Sequence, residues 1–143
     1  MSTTRIRKAT RMAATPSPVL GPRVARGRTA QRNGVAAENL VVETLFAAGW
    51  VILGRRLRTE AGEIDIAAEK DGILSIIEVK SRMALDVAAY ALGPSQRARL
   101  IGAAEILLGA HPGWGRAGVR FDLWLVGAGG ALRQVADAFR AGD

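Results

Sequence analysis

The spacing of apolar positions along this chain changes from helical to strand-like and back again. Residues 29–48 carry a broad apolar stripe at helical spacing, and Gly49 ends it. A second helical pattern begins at Pro94 and runs to about residue 108, where Gly109 closes it. The other apolar segments are short and rich in β-branched residues, which is typical of strands. They predict strands over residues 50–58, 63–68, 73–81, 119–126 and 132–135.

This order of elements, αβββαββ, predicts the class of fold. Helices that flank strands joined by short connections give an α/β or α+β domain of three layers, with a central sheet between the helices. The chain has 143 residues, which is long enough for one domain with its own core and too short for two. We therefore predict a single folded domain over residues 31–143.

The first thirty residues differ from the rest in charge. They contain seven of the 20 basic residues and no acid, which leaves 13 basic residues against the 13 acids of the remainder. Their composition of Arg, Ser, Thr, Pro and Gly predicts a disordered basic arm over residues 1–30. Three interpretations stay open: a phosphate-binding tether, an organellar transit peptide, and an extension without a role.

Composition also limits the chemistry that the chain can perform. There is no cysteine and one histidine, His111, so thiol nucleophiles, Cys/His zinc sites and a Ser-His-Asp triad are excluded or poorly supplied. A metal would be held by oxygen, which favours Mg²⁺ or Mn²⁺. No apolar run reaches eighteen residues, which argues against a membrane protein. The lack of cysteine is compatible with a reducing compartment, and we predict a cytoplasmic location.

Acidic residues alternate with apolar ones in two neighbouring predicted strands. Between the strands lies Asp71-Gly72, a strong signal for a two-residue hairpin turn. That turn would place Asp65 opposite Glu78 and Glu63 opposite Lys80. Two carboxylates that face each other repel unless a cation lies between them, so the pattern predicts a metal site. The alternative is a half-exposed hairpin whose charges are its solvated face, and an arginine bridge to Glu78 would also argue against a metal.

The chemistry of such a site follows from its donors. Asp65 and Glu78 can each give an oxygen to one hard divalent ion, and the backbone carbonyl of Val79 can add another. A metal-bound water is a nucleophile at neutral pH, and Lys80 can orient it. Glu38 lies inside the apolar stripe of the first helix, so it is either a participant in the site or one partner of an ion pair at the edge of the core.

Taken in order, these residues resemble a known group of enzymes. A helix Glu, then Gly-Glu-Ile-Asp, then Glu-Val-Lys is similar to the core of the PD-(D/E)XK nucleases. The chain more closely resembles the YraN-type family of small bacterial endonuclease-related proteins over about residues 34–139. The motifs that carry the resemblance are Gly34-x-x-x-Glu38, Leu45-x-x-x-Gly49, Gly62-Glu63-Ile64-Asp65, Ile77-Glu78-Val79-Lys80, Arg120-Phe121-Asp122 and Asp137-Ala138-Phe139.

The resemblance implies a restriction-endonuclease-like fold with a mixed central sheet, and it implies roles for single residues. Asp65 and Glu78 would be metal ligands, Lys80 the catalytic lysine and Glu38 the helix acid. Gln96 stands where the family often has a lysine. Because related nucleases also carry glutamine on this helix, it would contact the water or the phosphate; alternatively, the lost charge would weaken DNA binding. Asp122 belongs to a family motif, but an acid paired with Arg120 or another arginine is the preferred interpretation.

These expectations lead to two hypotheses of function. The first is a Mg²⁺-dependent endonuclease acting on DNA, including branched or recombination intermediates, with phosphate contacts from six arginines: Arg55, Arg56, Arg58, Arg82, Arg97 and Arg99. The second is a non-catalytic nucleic-acid-binding module that retains the nuclease core. The neutral folded part argues against the first, because nucleic-acid binders commonly carry a basic excess. Action on RNA stays open, and so does a homodimer, which would double the binding groove.

Overall fold

A computed structural model describes residues 22–81 and 92–140, with side chains described from Gly34 onward in the first helix. Two helices and five strands make up this part of the chain, with one short 3₁₀ turn at Ala128–Gly130. Their bounds are α1 Pro22–Ala47, β1 Val51–Thr59, β2 Gly62–Lys70, β3 Ile73–Ser81, α2 Pro94–Ala110, β4 Gly118–Val126 and β5 Leu132–Phe139. The predicted order of helices and strands is confirmed.

The five strands form one mixed sheet in the order β1-β2-β3-β4-β5. Only β3 and β4 run parallel, and the other neighbours are antiparallel. A parallel pair needs a crossover connection, and the segment between β3 and β4 contains α2. The predicted α/β class with a mixed central sheet is therefore confirmed.

Each helix packs its apolar residues against a separate core. Ile66 and its partner Ile77 belong to the core that contains Val41 of α1. The neighbouring pair Ala67 and Ile76 belongs to the core that contains Leu100 of α2. Successive residues of a strand point to opposite faces, so a sheet covered on both faces needs apolar residues at consecutive positions. Strand β3 has them.

The hairpin between β2 and β3 forms as its sequence predicts. Asp71 and Gly72 both have positive φ, 53° and 78°, which a two-residue turn of the primed type requires. The paired positions run from Lys70 opposite Ile73 to Ile66 opposite Ile77. This is the register that a loop of Asp71-Gly72 fixes, so the register prediction is confirmed over these pairs.

Two predicted boundaries are corrected. Helix α1 begins at Pro22 rather than at residue 29, so residues 22–30 of the predicted disordered arm are helical. Proline suits the first helical position because its missing N–H needs no partner there and its fixed φ is helical. The rest of the predicted arm, residues 1–21, lies outside the described residues. Within the described ranges, neither helix is both long and apolar enough to cross a membrane.

The other correction concerns β5, which continues past the predicted end at residue 135 to Phe139. Asp137 and Ala138 are poor strand formers, and Asp137 has a φ of 53°. The register with β4 shifts between Phe121 and Leu123, which absorbs this irregular residue. Pairing continues beyond it because Phe139 is buried and stacks on Phe121, with 4.7 Å between ring centroids.

Candidate functional site

A cleft opens where β2 and β3 separate. In the described part of the chain, their pairing stops at Ile66 and Ile77, whereas β3 stays paired with β4 as far as Ser81. The space between the two strands and α1 is a cavity of about 750 Å³. Its lining residues are Gly34, Ala37, Glu38, Gly62, Glu63, Asp65, Glu78, Val79, Lys80, Ser81 and Arg99.

Asp65 and Glu78 meet at the inner end of this cleft. Their carboxyl groups are close enough for each to affect the ionisation of the other, and Asp65 Oδ2 accepts a hydrogen bond of 2.8 Å from the Val79 N–H. Burial, and then repulsion by Glu78, raise the pKa of Asp65 to about 8 against the opposing effect of the Val79 N–H. Two carboxylates this close are stable as neighbours only with a shared proton or a cation between them.

Glu78 is also flanked by two cationic side chains. It is 4% exposed, and its Oε2 lies 3.3 Å from Lys80 Nζ and 3.7 Å from Arg99 Nη2. The arginine contact is longer than a hydrogen bond, so it compensates the charge of Glu78 without using its lone pairs. The arginine bridge to Glu78, which would argue against a metal, is thus present as a long ion pair between Arg99 and Oε2 of Glu78.

The predicted pairing of Glu63 with Lys80 is wrong. Glu63 instead lies opposite Arg58 in the β1–β2 ladder, with Arg58 Nε 3.3 Å from Glu63 Oε2. Lys80 contacts Glu78, its neighbour two residues away on the same strand. The prediction extended the hairpin register beyond the point where β2 and β3 separate, and the separation is what opens the cleft.

Glu38 reaches the cleft from α1 and satisfies both interpretations of its position. It is 6% exposed and lines the cavity, while its Oε1 lies 3.1 Å from Arg56 Nε and 3.7 Å from Arg55 Nη2. Burial raises the pKa of Glu38, and the two arginines oppose that rise. The ion pair at the edge of the core is therefore also part of the cleft wall.

The arginines of β1 are engaged with protein groups. Arg56 has a φ of 49°, in the left-handed region, and Arg55 Nη2 donates a hydrogen bond of 2.7 Å to Asn39 Oδ1. Arg58 is paired with Glu63, as described above, and its side chain is 87% exposed. These contacts place the three predicted phosphate-binding residues along one edge strand beside the cleft.

The remaining predicted residues are less closely tied to the cleft. Arg97 and Gln96 lie half-buried in the first turn of α2, and neither lines the cavity as the described residues define it. Arg82 lies outside the described residues. Of the three α2 residues that were predicted to participate, the structure brings Arg99 to Glu78.

Sequence reasoning missed the small residues that make room for the charged ones. Gly62 has a φ of 151°, and a Cβ built there would lie 2.3 Å from Arg99 Cγ. Gly34 and Ala37 line the cavity beside Glu38 on α1. Two signals in the sequence could have indicated them. One is the glycine at the start of the Gly-Glu-Ile-Asp motif; the other is the pair of small residues before Glu38, Ala37 directly before it and Gly34 one helical turn before it.

The donor set at the cleft fits one hard divalent ion that keeps part of its water shell. The described residues contain no group of three or more His, Cys, Asp or Glu arranged around a common metal position. Asp65 and Glu78 supply two adjacent carboxylates, and burial, followed by repulsion from Glu78, raises the pKa of Asp65, so a cation beside it would be favourable. Mg²⁺ and Mn²⁺ accept one or two carboxylates with a carbonyl oxygen and waters, so these residues suit them.

Another buried acid, Asp122 on β4, has a different environment. Ser75 Oγ donates to its Oδ2, Arg120 Nε lies 2.9 Å from the same oxygen, and the Asp137 N–H donates to Oδ1 at 2.7 Å. The preferred interpretation of Asp122 as the partner of Arg120 is confirmed. Its lone pairs are used within the protein, so it is part of the framework of the sheet.

The fold and the cleft define a small mixed α/β protein with a paired-carboxylate site bordered by lysine and arginine. The chain belongs to the UPF0102 family, because the profile described as "Uncharacterised protein family UPF0102" matches residues 37–126. These residues include the described lining of the cleft except Gly34. The membership in the YraN-type family that the motifs indicated is thereby confirmed.

Individual relatives cover most of the chain. A UPF0102 protein of Granulibacter bethesdensis is 56% identical over 118 residues, which is 82% of this chain and 75% of the relative. One of Acidiphilium cryptum is 44% identical over 121 residues, covering 85% of this chain and 94% of the relative. One of Rhodopseudomonas palustris is 39% identical over 120 residues, covering 84% and 92%.

Proposed function

We propose that this protein is a metal-dependent endonuclease-like phosphodiesterase with a restriction-endonuclease-like PD-(D/E)XK core, acting on DNA with Mg²⁺ or Mn²⁺. The observation that carries the proposal is the meeting of Asp65, Glu78 and Lys80 in one cleft where two strands separate. A paired-carboxylate site with an adjacent ammonium group suits phosphodiester hydrolysis, because the reaction needs a cation, a positioned water and charge stabilisation.

Each side chain has a task in this scheme. Asp65 and Glu78, with the Val79 carbonyl, would hold the ion, which when bound lowers the pKa of a water and polarises the phosphoryl group. The Val79 N–H fixes the orientation of Asp65. Lys80 Nζ, beside Glu78, would orient the attacking water and stabilise negative charge as it develops on the phosphate. Glu38 borders the cleft and would hold a further water through its second oxygen.

The substrate class follows from the charges around the cleft. Arg99 lines it, and Arg55, Arg56 and Arg58 follow the neighbouring edge strand, so a phosphate backbone placed across the cleft would meet arginines on both sides. Gln96, Arg82 and Arg97 are proposed as further contacts from the start of α2 and from the segment before it. A branched or recombination intermediate would use more of this surface than a linear duplex, and a homodimer would present two clefts to it.

The test is cleavage of supercoiled, linear, single-stranded and four-way-junction DNA with Mg²⁺, Mn²⁺ or EDTA. Asp65→Asn, Glu78→Gln and Lys80→Ala are assayed beside the unaltered protein, each with its thermal melt to show that it folds. We expect cleavage that requires the divalent ion and is lost in all three variants. Cleavage that survives all three substitutions would show that another protein or another site is responsible.

A second candidate function is supported by the ion pairs of the cleft. Glu38 is paired with Arg55 and Arg56, and Glu78 with Lys80 and Arg99, so a protein that binds nucleic acid without cleaving it could keep this arrangement. The two candidates differ in their response to removal of residues 1–21. A nuclease should keep metal-dependent cleavage, whereas a non-catalytic module should show no cleavage and should lose most of its salt-sensitive affinity.

A further inference from the structure

Among the predicted phosphate-binding residues that the structure describes, Arg99 is the one that lines the cleft, and there it contacts Glu78. Its side chain is 42% exposed, and its Nη2 lies 3.7 Å from Glu78 Oε2. Lys80 Nζ approaches the same oxygen to 3.3 Å. Two cations from two different elements therefore share one oxygen of a proposed metal ligand.

The path of the Arg99 side chain depends on Gly62. A Cβ built at residue 62 would lie 2.3 Å from Arg99 Cγ and 2.5 Å from Cδ, distances that real atoms do not adopt. The aliphatic part of Arg99 thus crosses the strand directly over a glycine at the start of β2. Glycine at this position supplies both the φ of 151° and the space that lets an arginine of α2 reach an acid of β3.

We propose that Arg99 is a substrate-binding residue that contacts Glu78 before a divalent ion binds, is displaced when the ion binds in the cleft, and then contacts a phosphate of the substrate. This inference rests on the proposed function. Its physical basis is competition, since a doubly charged ion on Asp65 and Glu78 repels a guanidinium group at the same oxygen. Arg99 can move away because it is long and half exposed.

The displaced guanidinium suits a second role. Arginine is always charged at physiological pH and binds phosphate oxygens through two parallel hydrogen bonds. Lys80 starts from the same strand as Glu78, only two residues away, so its ammonium group stays beside the reacting phosphate while Arg99 reaches a different one. The cleft would therefore bind DNA more tightly when it holds the ion than when it is empty, through a residue that does not ligate the ion.

The first experiment measures the affinity for Mn²⁺ by calorimetry in the absence of DNA, on the full-length protein. Arg99→Ala should bind Mn²⁺ about three- to tenfold more tightly than the unaltered protein, because the competing cation has been removed. Arg116→Ala is the matched control, since it removes the same charge in the exposed turn beside Gly72, at the opposite end of the sheet. It should leave the affinity within about twofold.

Two further variants sharpen the assignment. Arg99→Lys keeps the charge, so its Mn²⁺ affinity should stay closer to that of the unaltered protein than to that of Arg99→Ala. In a Glu78→Gln background the effect of Arg99→Ala should vanish, because the carboxylate for which the two cations compete is absent. Equal or weaker Mn²⁺ binding by Arg99→Ala, or the same tightening in Arg116→Ala, would overturn the inference.

The second experiment measures binding of a four-way DNA junction with Ca²⁺ or with EDTA, conditions that are expected not to support cleavage. Ca²⁺ should increase the affinity of the unaltered protein, and Arg99→Ala should lose most of that increase while retaining its binding in EDTA. An equal increase in both proteins would overturn the phosphate role. If the unaltered protein binds no Mn²⁺ and cleaves no DNA, the proposed function itself fails; if it does both and Arg99→Ala behaves like it, only this inference fails.

Discussion

Asp65 and Asp122 are both aspartates of the central sheet, half-buried and buried respectively, yet their surroundings differ. Asp122 accepts hydrogen bonds from Ser75, from Arg120 and from the backbone of Asp137, which use both of its oxygens. Asp65 accepts one backbone hydrogen bond and otherwise faces the carboxylate of Glu78. The charge of Asp122 is thus compensated within the protein, whereas the charge of Asp65 requires a proton or an external cation.

The comparison teaches how to separate a structural acid from a candidate ligand. A buried carboxylate with its lone pairs occupied has no capacity for a metal, and removing it leaves its donors unsatisfied. A buried carboxylate beside another one is destabilising to the fold unless it binds something. Replacing Asp65 with a neutral residue should therefore lower activity and not stability. Replacing Asp122 with a neutral residue should lower stability and have a smaller effect on activity.

The largest expected effect is on cleavage. Asp65→Asn should lower the rate of metal-dependent DNA cleavage by at least about a thousandfold, because it removes one of the two charged ligands of the ion. Asp122→Asn should stay within about tenfold of the unaltered protein when assayed well below its melting temperature. Both rates are measured on the same junction substrate with Mg²⁺. Equal losses in the two variants would show that the distinction between the two acids has no catalytic meaning.

The next effect is on stability and has the reverse order. Asp122→Ala should lower the free energy of unfolding by about 2–4 kcal/mol, because it leaves Ser75, the Asp137 N–H and the charge of Arg120 without their acceptor. Urea denaturation followed by Trp fluorescence measures it. Ser75→Ala, which removes one donor and leaves the others, is the milder control and should cost about 1 kcal/mol. A loss below that of Ser75→Ala would contradict the structural role of Asp122.

The sequence was sufficient for features that depend on neighbouring residues. Asp71-Gly72 set the hairpin and its register, and period two then placed Asp65 against Glu78. The order of the elements followed from apolar spacing, and the mixed sheet was implied by the family resemblance. The helical residues 22–30 were missed because the prediction depended on an apolar stripe, which that segment lacks.

Features that depend on distant parts of the chain were out of reach. The point at which β2 and β3 separate lies beyond the last hairpin pair, Ile66 with Ile77, and is not encoded in the turn. Extending the hairpin register therefore paired Glu63 with Lys80, whereas Glu63 pairs with Arg58. The passage of Arg99 over Gly62 joins residues 37 positions apart in different layers of the fold. The spacing of residues in the sequence cannot predict such contacts, although it can identify the residues that make them.

A third prediction concerns pH. The pKa of Asp65 is about 8 in the folded protein and has its ordinary value of 3.8 in the unfolded chain. Between those values the folded state binds the extra proton, so the free energy of unfolding should fall as the pH rises through this window. Asp65→Asn keeps an acceptor for the Val79 N–H and removes the charge. In EDTA at pH 9 it should be about 1–3 kcal/mol more stable than the unaltered protein.

The measurement is urea denaturation at pH 5 and pH 9. The advantage of Asp65→Asn should be largest at pH 9 and small at pH 5, where the folded protein carries Asp65 protonated. A constant difference between the two pH values would show that Asp65 does not carry the destabilising charge. Asp122→Asn, treated identically, should be destabilised at both pH values, which keeps the comparison between the two acids within one experiment.

The smallest effect is expected at Glu63, which contacts neither Asp65 nor Asp122. Glu63 pairs with Arg58 at 3.3 Å, but the side chains of the pair are 42% and 87% exposed, so water screens the attraction. Glu63→Gln should change the free energy of unfolding by less than about 0.5 kcal/mol, measured by the same urea titration at pH 7. It sets the baseline for the other two acids, because Glu63 lies on the same strand as Asp65, two residues away. A change as large as that of Asp65→Asn or Asp122→Ala would contradict the prediction. It would mean that exposure to solvent does not determine how much a carboxylate affects the free energy of unfolding.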